Sequence, residues 1–119
     1  MIAYKLLHKR KNGTLGPLFI GRKKVIPLGV WVKAEDIPTK GFAHRPGWHT
    51  TKSPIAPHIS MKDRVWCKVE IEDFYEFKRP KSQGGIWYIS NAMKILEELA
   101  WHNCRIVLYY FYSKGEQYE

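Results

Sequence analysis

The sequence predicts a small α+β domain, a mostly antiparallel sheet with an N-terminal hairpin and one main helix near the C-terminus. Three observations lead there. Asn12-Gly13 separates two apolar runs, residues 64–72 alternate with a period of two, and Ala92, Ile95, Leu96 and Leu99 recur at helical spacing. The chain has 119 residues, 45% of them hydrophobic and 14% aromatic. That is enough apolar surface to offset the entropy of ordering one core, in a chain too short for a second domain.

Each element has a local reason. Residues 3–9 and 15–20 form the hairpin, because the Asn12 and Gly13 between them tolerate the positive φ of a tight turn. Residues 21–24 then make a basic connection to 25–34, where Pro27 has no N–H to donate and restricts the region to an edge strand or two short strands. From 35 to 62, Pro38, Pro46, Pro54 and Pro57 exclude a long regular element, although a short strand through Gly47, Trp48, His49 and Thr50 fits. So long an irregular stretch in a compact domain is a natural place for a site.

In 64–72, Val65, Cys67, Val69 and Ile71 share one face, while Trp66, Lys68, Glu70 and Glu72 share the other. Residues 73–81 read as an irregular or short helical connection, and 82–85 as a loop leading to Ile86-Trp87-Tyr88-Ile89. The helix follows, capped by Ser90 or Asn91 and ending near Asn103, with Glu97 and Glu98 outward. Residues 105–112 form a last β-branched and aromatic strand, and 113–119 fray. The expectation is a single domain over 1–119, with a basic half (1–62) and a strand-helix-strand half (63–119).

Charge divides along the same line. Residues 1–62 carry 12 basic and 2 acidic side chains, residues 63–119 carry 8 and 9, and the whole has a net charge of +9. Such a field draws anions, whether nucleotides, nucleic acid or an acidic protein face. No run of about 18 apolar residues occurs, and Met1-Ile2-Ala3 leads straight into Tyr4-Lys5, so a cytoplasmic protein with no membrane partner is expected. Cys67 and Cys104 are isolated in apolar stretches and read as structural.

The chemistry-bearing patterns are few. His44, His49 and His58 are spaced unlike any closed zinc site and lack cysteine or acid partners, so no metal is expected. Phosphate-loop glycine patterns and a Ser-His-Asp arrangement are absent, and Glu97-Glu98 and Glu70-Glu72-Asp73 read as solvated faces. Aromatics do interleave with cations, in Trp31-Val32-Lys33, Arg45-Pro46-Gly47-Trp48-His49 and Arg64-Val65-Trp66. Rings that stack on bases beside cations that hold phosphates suit nucleotides and single strands. Arg45, Trp48 and His49 lead the candidate ligand-binding residues, with Arg22, Lys23 and Lys24 steering.

The segments Pro38 to His49, Ala56-Pro57-His58-Ile59-Ser60, Arg64-Val65-Trp66 and Arg79-Pro80 through Gln83-Gly84-Gly85-Ile86-Trp87-Tyr88 resemble a family of small bacteriophage-encoded proteins of uncharacterised activity. The resemblance implies an accessory protein acting in the bacterial host cytoplasm, with an anti-defence role such as capturing a nucleotide signal or inhibiting a host nuclease. Gly47-Trp48-His49-Thr50-Thr51 with Ala56 is also similar to the strand that lines the NAD pocket in ADP-ribosyltransferase-like folds. That similarity implies pocket-lining roles for Gly47, His49 and Thr51 and a phosphate contact for Arg45, with NAD or ADP-ribose as ligand. The leading expectation is a binding protein for an anionic ligand or nucleic acid without its own catalysis or cofactor. Its alternatives are an ADP-ribosyltransferase-like enzyme and a protein-binding inhibitor of a host defence complex. The candidate ligand-binding set is Arg45, Gly47, Trp48, His49, Thr51 and His58.

Overall fold

The N-terminal turn folds as its residues require. In the computed structural model, which describes residues 1–19, 21–36 and 45–99, strand β1 (Ile2–Lys9) reverses at Asn12-Gly13 into β2 (Leu15–Gly16). Gly13 has φ +90°, and the Asn12 side-chain oxygen accepts from both the backbone N–H and the hydroxyl of Thr14. The Arg10 guanidinium donates to the carbonyls of Leu15, Arg22 and Lys24, which ties the following basic turn to the hairpin.

Four more strands follow: β3 (Trp31–Lys33), β4 (Trp48–Thr51), β5 (Arg64–Lys78) and β6 (Ile86–Glu98), with a 3-10 turn at Lys81–Gln83. All their strand pairings are antiparallel, and they form a circuit. β1 pairs with β5 from Ile2↔Glu70 to His8↔Arg64, and β5 with β6 from Cys67↔Glu98 to Lys78↔Ile86. β6 pairs with β4 from Trp48↔Ser90 to Thr51↔Trp87, and β4 returns to β1 through one pair, Tyr4↔Thr51. The sheet therefore closes into a small barrel, with β2 added beside β1 and β3 beside β6. A register shift at Lys68/Val69 and an Asp73 φ of +52° bend β5, so that one long strand serves two neighbours.

The core has two layers. Ala3 and Leu7 of β1, Cys67, Val69 and Ile71 of β5, and Met93 and Ile95 of β6 fill the interior together with Leu15 and Ile26. Leu6, Trp66 and Trp87 form a second cluster, covered by Ala56 with Ile59 and Met61 packed against it. The alternation in 64–72 holds, but Trp66 is buried rather than part of a polar face, because the segment after β4 folds over it.

The α+β expectation is overturned, and the helix is where it fails. Residues 86–98 are the central strand β6, and among the described residues no α-helix occurs. The helical set Ala92-Ile95-Leu96-Leu99 competes with a period-2 set, Trp87, Ile89, Met93 and Ile95, and the second is the one buried. β6 has neighbours on both edges, so every backbone group can join a ladder and tertiary pairing outweighs helical propensity. Ser90, expected as a cap, is buried inside this strand. Likewise 73–78, expected as a connection, continue β5. The short strands around Pro27 are found at the sheet margin, with β3 at one end of the strand order and Leu28 bridging Ile95. The strand expected at 105–112, the frayed tail, Cys104 and His44 lie outside the described residues.

Met93→Ala should therefore cost about 2–5 kcal/mol, the range for truncating a buried apolar side chain, and Leu96→Ala less. Urea unfolding of the two variants measures this, and the reverse order would contradict the strand.

Candidate functional site

The segment that enters β4 is held against the barrel by residues with no freedom to change. Gly47 has φ +134°, and a Cβ there would lie 2.4 Å from the Ile89 side chain and 3.2 Å from the Ser90 carbonyl, so only glycine permits this approach. The Trp48 indole N–H donates to the Val32 carbonyl at 2.9 Å, and His49 Nε2–H donates to the Arg45 carbonyl at 2.9 Å. Thr50 donates to the Tyr88 carbonyl. Thr51 shares its one hydroxyl proton between the carbonyls of Tyr4 and Ser53, at the point where the barrel closes.

Past that point β1 and β4 diverge. Lys5, one residue beyond the closing pair, sends its Nζ to the His49 carbonyl at 2.8 Å and lies 5.8 Å from the centre of the Trp48 ring. A cleft of about 740 Å³ runs along this seam. Every candidate ligand-binding residue lines it: Arg45, Gly47, Trp48, His49, Thr51 and His58. Of the steering residues only Lys24 does, ion-paired to Glu35, whereas Arg22 and Lys23 sit exposed in the turn before it.

Among the lining residues that escaped the sequence reading are Lys5, Arg79 and Trp87. Lys5 had a signal, a charge between Ala3 and Leu7 on the inward face of an apolar strand. Arg79 follows β5 and Trp87 belongs to β6, two elements whose extent the sequence concealed.

The electrostatics are one-sided. Among the described residues Glu35 is the sole carboxylate of the lining, and no ion pair reaches Lys5, Arg45 or Arg79. Burial pushes the Lys5 ammonium down to about 8, with the Cys67 thiol on β5 acting in the opposite direction. Burial also lowers His49, where the Arg45 carbonyl opposes the shift and the charges of Lys5, Arg45 and Arg79 add to it. His58 is lowered by burial and by Arg79, and Arg79 by burial and by Arg45. The cleft thus holds the cations of Lys5, Arg45 and Arg79 beside two imidazoles that burial and neighbouring cations hold in the neutral form.

Aromatic rings hold the arginines. Arg45 lies over Phe77 at 4.7 Å and Arg79 over Trp87 at 5.4 Å. The Arg79 Nε donates to the Gln83 side chain, while the Trp87 indole donates to the Gln83 carbonyl. His58 meets Trp87 edge-on at 6.0 Å. At the rim, Arg64 lies over Phe19 and donates to the Ser60 carbonyl.

The Glu97-Glu98 pair lies elsewhere. Glu97 and Glu98 close β6 opposite Lys68 and Cys67, Glu98 is ion-paired with Lys9, and neither lines the cleft. Among the described residues no group of three His, Cys, Asp or Glu side chains is arranged to hold a metal, and no helix is long and apolar enough to cross a membrane. Comparison with known proteins finds no family model, no curated protein and no solved structure that matches the chain.

The buried ammonium fixes the sign of a pH effect. Unfolded Lys5 keeps its proton up to about 10.5 and folded Lys5 only to about 8, so between those values the unfolded chain binds more protons and stability rises with pH. Lys5→Met should flatten the rise between pH 7.5 and 10. Thermal melts of both proteins across that range measure it.

Proposed function

We propose that this protein binds a nucleotide-sized, phosphate-bearing ligand in the cleft between β1 and β4. The observation that carries the reading is the state of the two arginines. Each guanidinium rests over a ring, and among the described residues neither is ion-paired, the Arg45 guanidinium makes no hydrogen bond and that of Arg79 uses only Nε. Ring contact restrains the guanidinium but leaves its N–H donors for phosphate oxygens, which arginine can take two at a time.

Size and lining agree. Cavities of some hundreds of Å³ take small organic ligands, and the half-buried rings of Tyr4 and Trp48 line the same cleft as the cations. A concave site favours a small ligand over a long strand, whose backbone would need an open basic track. The phage-type setting suggested by the sequence would make capture of a nucleotide signal the purpose of such binding.

Calorimetric titration with ADP, ADP-ribose, NAD and short single-stranded DNA and RNA at two salt concentrations tests the proposal. At least one mononucleotide-sized ligand should bind with modest salt dependence, and Arg45→Ala with Arg79→Ala should weaken it by about tenfold or more, given ~1.5–3 kcal/mol for a hydrogen bond to a charged group. The melting temperature should change little, since neither arginine is buried in the core. Binding of single strands alone, with a steep salt slope, would replace the nucleotide with a nucleic acid. No binding of any phosphate-bearing ligand would overturn the reading.

A further inference from the structure

We infer that Lys5 selects for a terminal phosphate: the ligand enters with a phosphomonoester or terminal pyrophosphate group leading, and the Lys5 ammonium takes that group at the closed end of the cleft. The inference rests on the nucleotide reading above and adds which part of the nucleotide is recognised and where.

Depth is the first reason. Arg45 and His58 are exposed, whereas Lys5, like Arg79 and His49, is half-buried, and burial lowers the Lys5 ammonium to about 8. Lys5 sits where β1 and β4 separate from their single pair, Tyr4↔Thr51, so the seam ends beside it. An end-on phosphate, with one bond to the rest of the ligand, can reach such a place. A phosphodiester carries a sugar on both sides and would have to push one of them past the Thr51 closure.

Unused bonding capacity is the second. An ammonium has three donors, and the Lys5 ammonium has one protein acceptor, the His49 carbonyl. Among the described residues no carboxylate is ion-paired with it. The groups that meet it are the His49 carbonyl and the Trp48 ring of β4 and the Cys67 thiol of β5, and His49 in turn feels the charges of Arg45 and Arg79. A desolvated cation with spare donors among like charges is a position that an anion would stabilise.

Charge is the third reason. A phosphomonoester carries about −1.5 to −2 at pH 7, against −1 for a diester. The cations of Lys5, Arg45 and Arg79, without an ion-pair partner among the described residues, favour the more highly charged form.

AMP and 3′,5′-cyclic AMP separate the possibilities, because they share base and sugar and differ in whether the phosphate is terminal. Calorimetry at pH 7 should show AMP binding at least about tenfold more tightly than cyclic AMP, with ADP at least as tight as AMP. Lys5→Met should reduce that preference to within about twofold and leave weaker binding of both through Arg45 and Arg79. In the wild type the preference should also shrink between pH 7.5 and 9.5, where the phosphate stays dianionic and Lys5 deprotonates. Lys5→Gln, which keeps a polar donor without charge, gives a second test independent of how methionine packs.

Equal affinity for AMP and cyclic AMP in the wild type would overturn the inference and leave the nucleotide reading standing. So would an undiminished preference in Lys5→Met and Lys5→Gln. Failure of AMP, ADP and cyclic AMP alike to bind would overturn both.

Discussion

A single backbone pair, Tyr4 with Thr51, closes the sheet, and the character of the molecule depends on its being single. Elsewhere the barrel is held by long ladders, with seven partners between β1 and β5 and eleven between β5 and β6. Because β1 and β4 meet once and then part, one seam of the barrel is lined by side chains instead of backbone hydrogen bonds. Lys5 stands at the start of that gap and gives the His49 carbonyl the donor that a longer ladder would have supplied. The cleft is therefore built into the closure of the fold rather than carved into its surface.

The cations around the seam are held in place against their own repulsion. Arg45 and Arg79 rest over Phe77 and Trp87, Gln83 fixes both Arg79 and Trp87, and the Arg45 carbonyl anchors His49. None of these restraints neutralises charge. They restrict side-chain freedom in advance, so that less of it remains to be lost when an anion arrives. Folding opposes that charge density and ligand binding favours it, a conflict that active and binding sites commonly embody.

How far the sequence disclosed this depends on the range of the interactions. The Asn12-Gly13 turn and the alternation of β5 are local, written in neighbouring residues, and were legible. So was the concentration of aromatics and cations around Arg45 to His49, which lines the cleft as a group. The stretch from Ser90 to Glu98 reads as a helix because its apolar residues satisfy a helical and a strand period at once. Only its neighbours β3, β4 and β5 decide between them, and their pairing is not local. Arg79 and Trp87 were overlooked for the same reason, since they reach the cleft from elements whose extent was not readable. Lys5 carried a signal in its inward position between Ala3 and Leu7, but what a charge does there became visible only with the seam.

The Gly47 contact links the site to the strand behind it. With the Ile89 side chain and the Ser90 carbonyl pressed against the place where a Cβ would stand, any side chain at position 47 must push β4 away from β6. Arg45 and His49 flank that position on either side and would move with it. Random variation of this gene would thus find position 47 closed, although it lies in a loop-like, glycine- and proline-rich stretch where substitutions are ordinarily tolerated. In directed evolution of a new ligand preference, variation would have to enter through Arg45, His49 and His58 instead, with Gly47 as the fixed point about which they are rearranged.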